Sequence, residues 1–360
     1  MPRRTATLLA STLTLIALLC VALLVPTPYA EMSPGPTVNT LGSYEGDKVI
    51  QITGRTTYPT TGNLNMTTVR VTGADYHINL VESVLGWIRH DDKVVEHNTL
   101  YPPGQTAQEA DQQNAEEFSQ SQDSAKVSAL EELKIPVPSR IIVASVLERG
   151  ASQGLLHAGD VIKAVDGTPI KAEEDVSAAV TKHKPGEKVV FTVVRAADAK
   201  TKANADRTQQ VTITTRKSDD ELPSRAVVGI SAGVEHLFPF TIDIKLADVG
   251  GPSAGMMFAL GIVDELTPGS LTGGKFVAGT GTIEDDGKVG PIGGISLKTI
   301  GARNQGAKYF LTPADNCEEA AKDIPSGLTL VKVTSLDDAL AALKNIKAGD
   351  TAALPGCSKS

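Results

Sequence analysis

Residues 247–257 read Ala-Asp-Val-Gly-Gly-Pro-Ser-Ala-Gly-Met-Met. Glycines, a proline and one serine interrupt an otherwise apolar stretch, and the sequence on to residue 266 is apolar enough for a buried helix. Ser253 therefore stands at the mouth of that helix. A serine there has two physical uses. As an N-cap, its hydroxyl accepts from the orphan N–H groups of the first turn. As a nucleophile, it lies where those same N–H groups and the helix dipole can stabilise a negative oxygen developing on an attacked carbonyl. Taken alone, the motif favours the cap, because a nucleophilic serine also needs a base.

Histidine is the usual base. His77, His90, His97, His157, His183 and His236 fall in loops, in the middle of the chain or ahead of the glycine turn, and none has glycine-built surroundings. Of these, His236 is the nearest in sequence. Lysine is the other known partner of a serine nucleophile. Lys298 closes the run Pro291-Ile292-Gly293-Gly294-Ile295-Ser296-Leu297-Lys298 and has apolar neighbours in Ile295, Leu297 and Ile300. An ordinary lysine is neutral in only about one molecule in 2,500 at pH 7. Burial in an apolar pocket disfavours the ammonium, and holding the amine near neutrality costs roughly 4 kcal/mol of stability. A solvated, ion-paired lysine is the bland alternative.

Outward from the serine, the patterns describe an α+β unit over residues 218–347, followed by a tail over 348–360. "AVVGISAGV" (226–234), "FTIDIKLADV" (240–249), "KFVAGTGTI" (275–283) and "AKYFLTP" (307–313) read as strands. Helices are expected over 253–266, 296–304 and 335–346, the last capped by Ser335. Upstream, within residues 31–135, "KVIQITG" (48–54) and "NLNMTTVRVTG" (63–73) alternate with the period of strands. Residues 81–88 suggest a short helix carrying the sole tryptophan, Trp87. Residues 105–133 lack glycine and proline and show a sparse apolar stripe (Phe118, Ala125, Ala129, Leu133), which favours a polar helix. Residues 31–44, "EMSPGPTVNTLGSY", read as a proline- and glycine-rich leader.

Composition bounds the function classes. Of 360 residues, 41% are hydrophobic, as in a globular protein with a buried core. A net charge of −8 with no basic cluster argues against nucleic acid, and 4% aromatic residues offer little stacking surface. At the N-terminus, Arg3 and Arg4 precede an apolar run over residues 8–25, long enough with its flanks to span a bilayer. The arginines before it, and no lysine or arginine after it until Lys48, put the bulk of the chain outside the cytoplasm. Residues 1–30 are thus expected to be a cytoplasmic N-terminus and an uncleaved single-pass anchor in the cell membrane. Cleavage at Ala30 is the rival reading, against which stand the length of the run and Pro28 where a small residue is wanted. Cys20 lacks the small residues of a lipoprotein site. In an oxidising space, Cys317 and Cys357 favour a disulfide over a metal site, since no ligand partner lies at suitable spacing. Closing that loop would stabilise by roughly 4 kcal/mol. No metal or cofactor is expected.

Two resemblances sharpen the reading. Residues 136–217 hold "RIIVASV", then Gly159-Asp160-Val161-Ile162 and Val165-Asp166-Gly167-Thr168-Pro169-Ile170, an amphipathic helix (Val176, Ala179, Val180) and two more strands. This segment resembles a PDZ domain. The resemblance implies that a peptide adds as a strand, with its carboxylate held in a loop near 137–140 and its backbone beside 141–145. Arg140, Ile141, Ile142 and Val143 are the candidate contacts.

The second resemblance decides the serine. "GGPSAG", "PIGGISLK" and "GARNQGAKYFLTP" resemble the proteolytic domain of Lon-type proteases, which use a Ser–Lys dyad. The resemblance implies Ser253 as nucleophile, Lys298 as general base and Thr280, in Thr280-Gly281-Thr282-Ile283, as orienter of the lysine. Gly251, Pro252 and Ala254 would support the serine, with backbone N–H groups at 251–254 around an oxyanion. "TTGNLNMTTV" and "SAKVSALEEL" resemble the opening of that domain, which makes the PDZ-like unit an insertion. Two features depart from the family. No G-x-x-x-x-G-K-[ST] motif occurs within these residues, so no ATP-driven motor is implied. Gly250 stands where many Lon sequences carry an acid, with Asp248 two positions earlier. The whole is similar to bacterial membrane-anchored PDZ-containing Lon-like proteases, acting on protein or peptide substrates, and rings are common among Lon-like domains. A PDZ scaffold with an inert Lon-like fold is the alternative.

Overall fold

A computed structural model describes residues 3–89, 91–201, 204, 206–218, 225–246 and 249–357. His90 and Asp248 lie outside the described residues. The chain begins with helix α1 (Arg3–Leu24), long and apolar enough to cross a membrane and without buried side chains in the span. Strand β1 (Tyr29–Asn39) follows at once, where an irregular leader was expected. The strand tolerates Pro34 and Pro36 because its pairing shifts register between Pro34 and Thr37, so the missing N–H groups fall at an irregularity rather than in the ladder. Next come β2 (Ile50–Thr53), β3 (Asn63–Val71), α2 (Leu80–Ile88), β4 (Lys93–Glu96) and the long helix α3 (Ala107–Glu132). Capping boxes at Asn79 and Thr106 start α2 and α3.

A separate compact unit interrupts the chain over Val137–Pro239, while Met1–Pro136 and Phe240–Ser360 together make the other. The inserted unit holds β5 (Ser139–Val146), β6 (Val161–Val165), helix α4 (Glu173–Val180), β7 (Lys188–Val194), β8 (Thr208–Thr214) and β9 (Ile230–His236). Its sheet runs in the order β8-β7-β6-β5-β9, over a core that includes Ile141, Val143, Ile162, Phe191 and Ile213. The unit thus extends past residue 217, the expected boundary. The stretch read as the opening strand of the final unit instead pairs along β5, from Ile230↔Val146 to His236↔Ser139.

After the insertion run β10 (Thr241–Ile244), α5 (Gly255–Leu266), β11 (Phe276–Gly279), α6 (Ile295–Asn304), β12 (Tyr309–Pro313), β13 (Thr329–Val333) and α7 (Leu336–Ala348). One sheet joins both halves of this unit in the order β13-β12-β11-β3-β1-β4, parallel from β13 to β3 and antiparallel from β3 to β4. Helix α5 is buried on all sides, which explains its unbroken apolar sequence. α3 lies along it, with Phe118 edge-on to Phe258 at 5.9 Å between ring centres. α6 packs on β1 and β3. Cys317 and Cys357 are joined in a disulfide across a separation of 40 residues, and Lys332 in β13 donates its N–H to Pro355 O at 2.7 Å. The tail therefore covers the outer edge of the sheet, which would otherwise offer unpaired backbone groups.

Candidate active site

The serine turn is built by backbone constraints before any side chain chemistry enters. Gly251 takes a left-handed φ of +79°, a conformation glycine adopts without strain. Helix α3 then holds the turn: Gly251 donates its N–H to Asn114 O (3.0 Å), and the Ser121 hydroxyl donates to Pro252 O (2.9 Å). Gly281 donates to Ser253 O (2.9 Å), tying the serine to the end of β11. The N-cap of α5 is Ala254, and the Ser253 hydroxyl makes no capping bond. The hydroxyl is left to meet something else.

What it meets is Lys298. The amine lies 2.7 Å from Ser253 Oγ, 2.9 Å from Thr67 O and 3.2 Å from Thr280 Oγ1. Thr280 in turn donates to Ser253 O at 2.9 Å, so one threonine touches both residues. Lys298 comes from the first turn of α6, whose start is Gly294 at φ +70°. A side chain at Gly294 would approach Val69 Cγ1 at 3.0 Å, so this glycine lets α6 sit close enough to β3 to bury the amine. Lys298 is 2% exposed, and desolvation alone depresses it from the ordinary 10.5 to about 7. Every hydrogen-bond acceptor around it among the described residues is a neutral oxygen. Among the described residues, no His/Cys/Asp/Glu group is arranged to hold a metal ion.

Chemically, the arrangement is a proton acceptor against an alcohol. As an ammonium, Lys298 has three donors for three oxygens; on losing a proton, it gains a lone pair that can accept the Ser253 hydroxyl proton. A cavity of about 300 Å³ opens over the pair, walled by Pro36, Val38, Tyr44, Met66 and Val69 beside Gly250, Gly251 and Ala254. Of the backbone N–H groups expected around an oxyanion, two drop out. Gly251 has committed its own to Asn114, and Pro252 has none. Ser253 and Ala254, at the start of α5, are those of the four that can serve. The carbonyl of Thr67, Ser121 and Asn114 were not legible in the sequence, since backbone acceptors and turn clamps leave no residue-type signature.

The expected peptide contacts of the inserted unit do not survive. β5 is paired on both edges, with β9 on one side and β6 on the other, so no peptide strand can add beside residues 141–145. Ile141 and Val143 are core, Ile142 pairs with Val161 and Gly233, and Arg140 is tied to Glu235 Oε2 (2.7 Å) and Ala199 O (3.1 Å). The open groove lies elsewhere. A cavity of about 920 Å³ runs between α4 (Val176, Ser177, Val180) and residues 225–232, with Val228, Ile230 and Ala232 along its strand side. Among the described residues, β9 ends the sheet and has an outer edge to offer.

Comparison with known proteins finds the same two kinds of domain, although the PDZ match begins within α3 and stops short of β9. Residues 112–214 match the PDZ domain model, and residues 247–345 match the Lon protease (S16) C-terminal proteolytic domain. The chain thus carries one segment similar to a PDZ domain and one similar to the Lon proteolytic domain. It is similar to the Lon protease of Azospirillum brasilense (39% identical over 93 residues, 25% of this chain and 11% of that one). It is likewise similar to Lon protease 1 of Bacillus subtilis strain 168 (38% over 94 residues, 25% and 12%). The chain thus spans only about a ninth of the length of these relatives. Among solved structures, the PDZ domain of an SdrC-like protein from Listeria monocytogenes matches 26% of this chain and 86% of its own at 24% identity, with a TM-score of 0.21.

Proposed function

We propose that this Lon-like protein is an ATP-independent serine endopeptidase anchored to the membrane by α1, with Ser253 and Lys298 as a catalytic dyad. The observation that carries the reading is a buried lysine amine, with no carboxylate contact among the described residues, 2.7 Å from a serine hydroxyl that caps nothing. Ser253 Oγ attacks the scissile carbonyl while Lys298 takes its proton, and the ammonium later gives that proton to the leaving amine. Thr280 and the Thr67 carbonyl hold the amine toward Ser253. The Ser253 and Ala254 N–H groups and the positive end of α5 face the developing oxyanion.

Three further elements of the reading have separate support. ATP-independence is supported by the lack of a phosphate-cradling lysine loop within these residues. An uncleaved anchor is supported by Ala30, which is 0% exposed and pairs with Val95, so a cut after it would strip the first two residues of β1 and their pairing with β4. Without a motor, substrates must already be loose: tails, loops or misfolded segments. The groove between α4 and β9 suits an extended peptide added to the free strand edge.

Ser253→Ala and Lys298→Met are expected to lose cleavage of a loosely folded casein, with circular dichroism unchanged. Wild-type turnover in either purified variant would refute the dyad. An unmodified chain that cleaves nothing while still binding peptides would point to a non-catalytic scaffold instead.

A further inference from the structure

Helix α2 is turned inside out. Its buried residues are the small ones, Ser83 and Gly86, and a side chain at Gly86 would come within 2.6 Å of Val94 Cγ2. Its large apolar residues face outward: Leu80, Val84, Leu85, Trp87 and Ile88 are 41–74% exposed. A surface helix of a globular protein ordinarily does the reverse. Contiguous apolar surface left open in this way marks an interaction site.

Position indicates what covers it. Only a few residues separate the end of α1, Leu24, from the point where Pro26 pairs with Asn79, the N-cap of α2. Thr27 also donates its N–H to Ile78 O at 2.8 Å, and α1 packs against α2. The outward face of α2 therefore begins where the span ends. Trp87 stands edge-on to Tyr29 with ring centres 5.5 Å apart, a pair of amphipathic rings of the kind enriched at membrane–water boundaries. The helix itself carries one acid, Glu82, and no lysine or arginine, so apolar area rather than charge would hold it to lipid.

We infer that α2 lies in the headgroup–acyl boundary of the membrane that α1 crosses, with its apolar face about 5–10 Å into the lipid. This rests on the anchor reading above. Trp87 is the only tryptophan, so the emission of the full-length chain in phosphatidylcholine vesicles reports this one site. Lipids brominated near the headgroup should quench it more than lipids brominated near the bilayer centre. The double variant Val84→Glu, Ile88→Glu should lose that quenching and shift emission to the red, while still floating with the vesicles and keeping its circular dichroism. A chain that floats but whose Trp87 is unquenched would sink the assignment of α2 alone. Blue-shifted, unquenched emission that depends on protein concentration would give the face to a second copy of the chain. A chain that fails to float would remove the anchor and the inference together.

Discussion

At Lys298, desolvation depresses the amine with no compensating charge among the described residues. An amine depressed to about 7 is substantially neutral at physiological pH, whereas an exposed lysine would be neutral only rarely. If it is the base, peptide cleavage should rise with pH through about 7 and then level, a profile read from initial rates with a small fluorogenic peptide. A flat profile between pH 6 and 8 would remove Lys298 from the role. The same shift affects stability. Between about 7 and 10.5 the unfolded chain carries a proton at this lysine that the folded chain has released. Stability from this group therefore rises with pH across that window, by at most about 1.4 kcal/mol per pH unit, and is lowest below it. Lys298→Met should lose that slope in denaturant titrations at successive pH values.

At the level of elements, the two unexpected strands teach most. β1 was hidden by its prolines, because a chain read locally cannot reveal that a register shift will absorb them. β9 was assigned to the wrong unit because strand pairing is decided by neighbours in space, and its apolar alternation suits either sheet. On the proposed function, this second correction places the peptide groove between α4 and β9 rather than along β5. Ser177 lies exposed on the wall of that groove. Ser177→Trp should fill it and weaken binding of a labelled peptide with a free C-terminal carboxylate, read by fluorescence anisotropy. Binding as tight as that of the unmodified chain would move the peptide site elsewhere.

Across the whole molecule, the Lon-like unit is made from two distant stretches of chain, and its edges need closing. Cys357 packs against the cluster around Phe310 and Leu330, and the disulfide to Cys317 holds the tail there. Cys357→Ser is expected to lower the unfolding free energy by about 2–4 kcal/mol in urea titrations. A reducing agent should bring the unmodified chain down to the same midpoint. No change in either measurement would mean that packing alone retains the tail.

The sequence by itself determined the long apolar first helix and the helices with strong caps or unbroken periodicity, while the pairing of Ser253 with Lys298 came from its resemblance to Lon-type proteases. The helices are local features, written in residue type and spacing. Tertiary structure alone decided which N–H groups remain free near Ser253, which carbonyl steadies Lys298, which strand edge stays open and which way α2 faces. Each of these depends on what a backbone group or helix face meets across the fold, and hydrogen-bond partners and burial are properties of that meeting rather than of the residue.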